Sequence, residues 1–112
     1  MSEQLYKPGS IVLVHFPFAE FTESKLRPAI IINTDLPDSL LVLFITSQQT
    51  FSTSYDVPLQ PSETNGLKAP SIVRANRLTV IAVDHLARTI GTLATTEHGE
   101  VKAALRKLSS DF

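Results

Sequence analysis

Two apolar runs, Gly9-Ser10-Ile11-Val12-Leu13-Val14-His15-Phe16 and Ala29-Ile30-Ile31-Ile32, are separated by a polar loop that ends Lys25-Leu26-Arg27-Pro28. Both runs are rich in β-branched residues and read as strands. The second is opened by an Arg-Pro step. Proline fixes its own φ and pushes the residue before it toward an extended backbone, so Arg27 is held at the mouth of a strand. A guanidinium stays charged at any working pH and can grip two oxygens of a phosphate at once. The decisive pattern is therefore strand, loop with a basic end, then a strand that presents an arginine.

Working outward, strands are expected at Ser10–Phe16, Ala29–Thr34, Leu40–Thr46, Ser71–Leu78 and Thr89–Leu93, with a short one near Tyr55–Pro58. Their apolar runs are nearly continuous, which suits a sheet covered on both faces or closed on itself. Pro37-Asp38 marks a turn. Residues 47–55 form a Ser/Thr/Gln loop, and Pro58–Pro70 is a long connection of the kind that often carries function in a small domain. A short helical turn is expected at Val83–Ala87. Near the end the period changes. Val101, Ala104, Leu105 and Leu108 fall on one helix face, with Thr95 as N-cap, Glu97 and Glu100 early, and Arg106 and Lys107 late. These elements predict a mainly β domain, a small barrel capped by one C-terminal helix.

The chain has 112 residues, the size of one domain spanning 1–112, and 43% are hydrophobic, enough for a core. It contains no apolar run long enough to cross a membrane as a helix and no signal-like N-terminus, so a cytoplasmic protein with no membrane partner is expected. The absence of cysteine excludes disulfides and thiolate metal sites. A formal net charge of −1 argues against a general nucleic-acid coat, though not against a local anion site made by folding. His15, His85 and His98 lack metal-ligand spacing, so no metal and no cofactor are expected. No phosphate-binding Gly-rich loop and no nucleophile elbow occurs.

Polar residues at strand ends remain. Thr46-Ser47-Gln48 leaves an apolar run; its hydroxyls can donate to a phosphate or simply cap a turn. In Arg74-Ala75-Asn76-Arg77, regular strand alternation would put Arg74 and Asn76 on one face and Arg77 on the other. Arg74 then approaches a ligand, or each arginine makes a surface ion pair.

The ordered series Gly9–Val14, Lys25-Leu26-Arg27-Pro28-Ala29, Ile45-Thr46-Ser47-Gln48, Asp56-Val57-Pro58-Leu59, Gly66-Leu67, Ser71–Arg77 and Ile90-Gly91-Thr92-Leu93 resembles the MazF/PemK toxins of toxin–antitoxin pairs. The resemblance implies an SH3-like barrel of the type shared with the CcdB toxins, usually a homodimer. It also implies sequence-specific, metal-independent cleavage of single-stranded RNA, restrained by a cognate antitoxin. Carried over residue by residue, it makes Arg27, Thr46 and Arg74 the catalytic candidates. Lys25, Ser47, Gln48, Asn76 and Arg77 become substrate-binding candidates. The family's later strand often has aspartate where Asn76 stands, and asparagine cannot act as a base; Glu20 and Glu23 are the alternatives. A gyrase poison like CcdB and a non-toxic binding module are the competing readings of the same fold.

Overall fold

The structure, a computed structural model, describes residues 6–15, 25–47 and 52–112. Phe16, Phe18, Glu20, Phe21, Glu23, Gln48 and Phe51 lie outside these residues. The elements run β1 (Ser10–His15), β2 (Leu26–Asn33), β3 (Ser39–Thr46), β4 (Asp56–Leu59), β5 (Ser71–Ala82), a single 3-10 turn at Val83–His85, β6 (Leu86–Thr92) and α1 (Thr95–Ser110). The six strands form one sheet in the order β4-β5-β3-β2-β1-β6, and every pairing is antiparallel.

The continuous apolar runs have a direct cause: both faces of the sheet are buried. Successive side chains of a strand point to opposite faces. Accordingly Ile11, Ile30, Leu43, Ile45 and Val73 enter one core cluster, while Val12, Val14, Ala29, Ile31, Val42 and Ile81 enter a second. The first is roofed by α1 through Val101, with Ala104 and Leu105 against it. The second is flanked by Tyr6, Phe44, Val83 and Leu86. Fully burying each Ile, Leu or Val contributes ~1.5–3 kcal/mol, so a strand carrying them on both faces is held from both sides.

The turn between β2 and β3 is built as its residues suggest. The Asn33 side chain accepts the Asp35 N–H at 2.9 Å, and Asp38 sits at φ 56°, a left-handed conformation that aspartate tolerates. Helix α1 begins one residue earlier than a Thr95 cap would place it. Ala94 is the capping position, and Glu97 accepts the Ala94 N–H at 2.9 Å from the third helical residue.

The edge strands are joined by the connection that follows β4. Gly66 there has φ +72°, and a Cβ on it would collide with the Ile90 carbonyl of β6. Thr92 N–H donates to the Thr64 carbonyl at 2.9 Å. The backbone of residues 64–66 thus lies directly on β6 and completes the barrel-like wrap that strand pairing alone leaves open.

Candidate active site

The cavity that organises the site opens where β2 and β3 part. Their ladder runs Ala29↔Phe44, Ile30↔Leu43, Ile31↔Val42 and goes no further toward Arg27. Pro28 has no N–H to offer a ladder. Beyond it, β2 stays paired only with β1, through Leu13↔Pro28 and Val14↔Arg27, while Ile45 and Thr46 of β3 pair with β5 instead. The parted strands leave a cavity of about 340 Å³. Arg27 and Pro28 line it from β2, Ile45 and Thr46 from β3, Ser47 from just beyond it, Lys68 from the long connection, and Arg88 and Ile90 from β6. Leu13, Leu26 and Leu67 add apolar floor.

The electrostatics of this cavity are one-sided. Its described lining holds Arg27, Lys68 and Arg88 and no acidic residue. Lys68 and Arg88 make no ion pair with any described residue. A concave site with three cations, three hydroxyls and an apolar floor suits an anion carried on a partly apolar body, as in a nucleotide.

The sequence-derived candidates divide. Arg27, Thr46 and Ser47 come together in the cavity. Lys25 is exposed just before β2 but does not line it. Gln48 lies outside the described residues. Arg74, Asn76 and Arg77 do not line the cavity, and the cause is the backbone. Between Leu43↔Leu78 and Ile45↔Val73, β5 advances five residues while β3 advances two. Such a bulge breaks the alternation that would have put Arg74 and Asn76 on one face. Instead Arg74 is buried, at 8% exposure, while Asn76 and Arg77 are exposed.

Arg74 has a different setting from Arg27. It pairs across the ladder with Asp56, its Nε 3.8 Å from the carboxylate. The same Asp56 accepts the Thr53 N–H at 3.0 Å and the Thr53 hydroxyl at 2.8 Å, and Ala75 N–H donates to the Tyr55 carbonyl at 3.1 Å. This end also carries Tyr55, whose hydroxyl donates to Asp111 at 2.7 Å, and Lys107, 3.4 Å from Asp111. The Tyr55 hydrogen bond holds the Asp111 carboxyl below its ordinary pKa and holds the Tyr55 phenol above its own.

Lys68, Arg88 and Asn65 are the residues that sequence reasoning missed. Asn65 is fully buried. Its oxygen accepts the Ser62 and Leu67 N–H groups at 3.0 Å each, and its amide donates to the Gln60 carbonyl at 2.8 Å and to Glu97 at 3.1 Å. It therefore ties the connection that carries Lys68 to the start of α1. The Asn65-Gly66 dipeptide is a turn signal that could have marked it. Arg88 carries no local signal; it reaches the cavity only because β6 lies beside β1.

Among the described residues no group of three or more His, Asp or Glu side chains could hold a metal ion, and no helix is long and apolar enough to cross a membrane.

Comparison with known proteins follows the same outline. The fold matches the Mycobacterium tuberculosis toxin MazF-mt6 with a TM-score of 0.72 over 90% of this chain and 96% of that one, at 23% identity. It matches an endoribonuclease in complex with its cognate antitoxin from a mycobacterial species with a TM-score of 0.73, over 92% and 93% of the two chains, at 14% identity. A further endoribonuclease from a mycobacterial species gives 0.70 over 93% and 91%, also at 14% identity. No curated protein sequence matches the chain. Residues 7–109 match the model of the PemK-like, MazF-like toxins of type II toxin–antitoxin systems, and with nearly its whole length inside that match the chain belongs to this family.

Proposed function

We propose that this toxin is an endoribonuclease that cuts single-stranded RNA at the Arg27 cavity, in the cytoplasm, and so blocks translation until an antitoxin neutralises it. The observation that carries the reading is the convergence of Arg27, Thr46 and Ser47 from two parted strands on a cavity whose described lining is basic and free of acids. In the reaction, the RNA 2′-oxygen bonds to the adjacent phosphorus and the bond from phosphorus to the 5′-oxygen breaks. The 2′-hydroxyl proton passes to a base, and the departing 5′-oxygen takes up a proton. The products are a 2′,3′-cyclic phosphate and a 5′-hydroxyl. Arg27 grips the phosphoryl oxygens on which charge develops, and the Thr46 and Ser47 hydroxyls donate to the same group. Glu20 and Glu23, in the loop before Arg27, are the candidate bases; Asn76 cannot serve. Arg74 contributes as a positioning residue that holds the 53–56 turn through Asp56.

The reading includes two partners. An acidic antitoxin segment suits the basic cavity, and one of the similar solved structures is an endoribonuclease bound to its cognate antitoxin. A homodimer is favoured by Leu78 and Val80 of β5, which are 42% and 57% exposed and which a second copy would cover. Sedimentation of a monomer at micromolar concentration would remove the dimer.

The test is incubation of the pure, folded protein with several long RNAs in EDTA. Fragments with 5′-hydroxyl ends are expected. Cleavage that appears only on adding metal refutes this chemistry. Intact RNA in every condition moves the toxin to the gyrase-poison reading.

A further inference from the structure

Arg88 stands in the cavity without an established part. It lies on β6, directly across β1 from the Arg-Pro step, because Leu13 pairs with Pro28 on one side and with Arg88 on the other. Two strand spacings separate Arg88 from Pro28, about 10 Å between Cα atoms. Arg88 is exposed and makes no ion pair with a described residue. The same is true of Lys68, which the Asn65 hydrogen bonds and the Gly66 contact with β6 hold at the cavity.

Charge matching decides what these groups await. Each internucleotide phosphate carries a single negative charge. Arg88 and Lys68, neither in an ion pair with a described residue, leave two positive charges on the cavity wall beyond the Arg27 site, with no acid in the described lining to balance them. Like charges this close are favourable only when anions stand between them. The apolar floor between the two walls, Leu13, Leu67 and Ile90, suits the base or sugar of the nucleotide linking two phosphates.

We infer that Arg88, with Lys68, holds the phosphate next to the one gripped by Arg27, so that the cavity clamps one nucleotide of an RNA strand between two fixed phosphates. This rests on the proposed reading of the Arg27 cavity. Arg88 is a substrate-positioning residue: it sets the register of the strand and takes no part in bond breaking.

The test uses single-stranded RNA methylated at every 2′-oxygen, which can bind but has no nucleophile, and follows affinity against salt. Each phosphate contact to a single strand steepens the slope of log affinity on log salt by about 0.7. Arg88→Ala is expected to flatten that slope by about 0.7 and to weaken binding roughly tenfold. Arg88→Lys restores the slope but only part of the affinity, since one charge is kept and the two-pronged grip is lost. With ordinary RNA, the loss in Arg88→Ala falls on KM rather than kcat. A wild-type slope and affinity in Arg88→Ala, in a protein that still cuts RNA, overturns the inference and leaves the cleavage reading standing. A wild-type protein that neither binds nor cuts RNA overturns both. An altered melting curve in Arg88→Ala, together with a wild-type slope and affinity in the folded Lys68→Ala and Arg88→Gln proteins, makes Arg88 structural and likewise overturns it.

Discussion

Arg27 and Arg74 stand on β2 and β5, the two strands that flank β3, and their settings differ: Arg27 lines a cavity, whereas Arg74 is buried beside Asp56. At the β4–β5 end the cations are spoken for: Arg74 is buried against Asp56, and Lys107 meets Asp111 beside Tyr55. At the β2–β3 end, Arg27, Lys68 and Arg88 face a cavity with no acid in its described lining. Residue type does not distinguish the two ends, since both are arginines on strands. Setting does. A guanidinium buried beside a carboxylate is closed to a ligand, whereas a cavity with a basic described lining creates a field that an anionic strand can enter.

The largest expected effect breaks the cavity end. Arg27→Ala should lower the rate of RNA cleavage by ~10²–10³, the usual cost of one preorganised donor to a developing oxyanion, with an unchanged melting curve because the side chain is exposed. Arg27→Lys should recover little of that rate. Single-turnover kinetics beside thermal melts check both. A normal rate in a folded Arg27→Ala protein would mean that the cavity is not the site.

At the Arg74–Asp56 pair the loss should be in stability. Asp56→Ala strands a buried arginine and removes the acceptor of two Thr53 hydrogen bonds, at a cost of about 3 kcal/mol. Denaturant unfolding reads this directly. A change within experimental error would show that the Arg74–Asp56 contact at 3.8 Å adds nothing to the fold. Arg74→Ala should reduce cleavage far less than Arg27→Ala, in proportion to the destabilisation.

Two smaller effects sharpen the contrast. Because Asp111 has a lowered pKa in the folded protein, its contribution to stability is present above the ordinary carboxylate range and is lost as pH falls through the folded value. Because Tyr55 has a raised pKa, its contribution is present below its ordinary phenol value and is lost as pH rises through the raised one. Tyr55→Phe should therefore flatten the dependence of melting temperature on pH at both the acid and alkaline limbs, slightly, since both groups are exposed. An unchanged profile would show the pair to be idle. Smallest of all, Asn76→Asp should leave the cleavage rate unaltered, because Asn76 is exposed on the bulged stretch of β5 and outside the cavity. A faster enzyme would instead reveal that a base was missing there.

Most of the fold was legible because both faces of the sheet are buried, and the resulting Ile-Val-Leu runs mark β1, β2 and β3 without ambiguity. The helix face was legible from Val101, Ala104 and Leu105. Strand ends were less so. β2 begins at Leu26, before the Arg-Pro step, because an extended pre-proline residue still pairs with β1; β6 begins at Leu86 because its early residues are exposed and look like loop. In the site, Arg27, Thr46 and Ser47 were legible because each stands at a strand end next to a local signal. The bulge that turns Arg74 inward and Asn76 outward was not, since it depends on how many residues β3 offers opposite β5. Nor was Arg88, which becomes a neighbour of the Arg-Pro step only through the pairing of β1 with both β2 and β6. The long connection after β4 was legible as a loop, but which of its residues reaches the cavity, Lys68, was not, since that segment is held by the buried hydrogen bonds of Asn65.

Whether the Arg27 cavity or the Arg74–Asp56 region receives RNA is the question that decides between the two arginines. Titrating the isotopically labelled protein with fully 2′-O-methylated single-stranded RNA and following its backbone amide signals answers it directly. Signals from 26–27, 46–47, 67–69 and 88–90 should move together and saturably, while those of 53–56, 74 and 107–111 stay in place. Movement concentrated at Tyr55, Arg74 and Asp111, with the Arg27 cavity unmoved, would contradict the account.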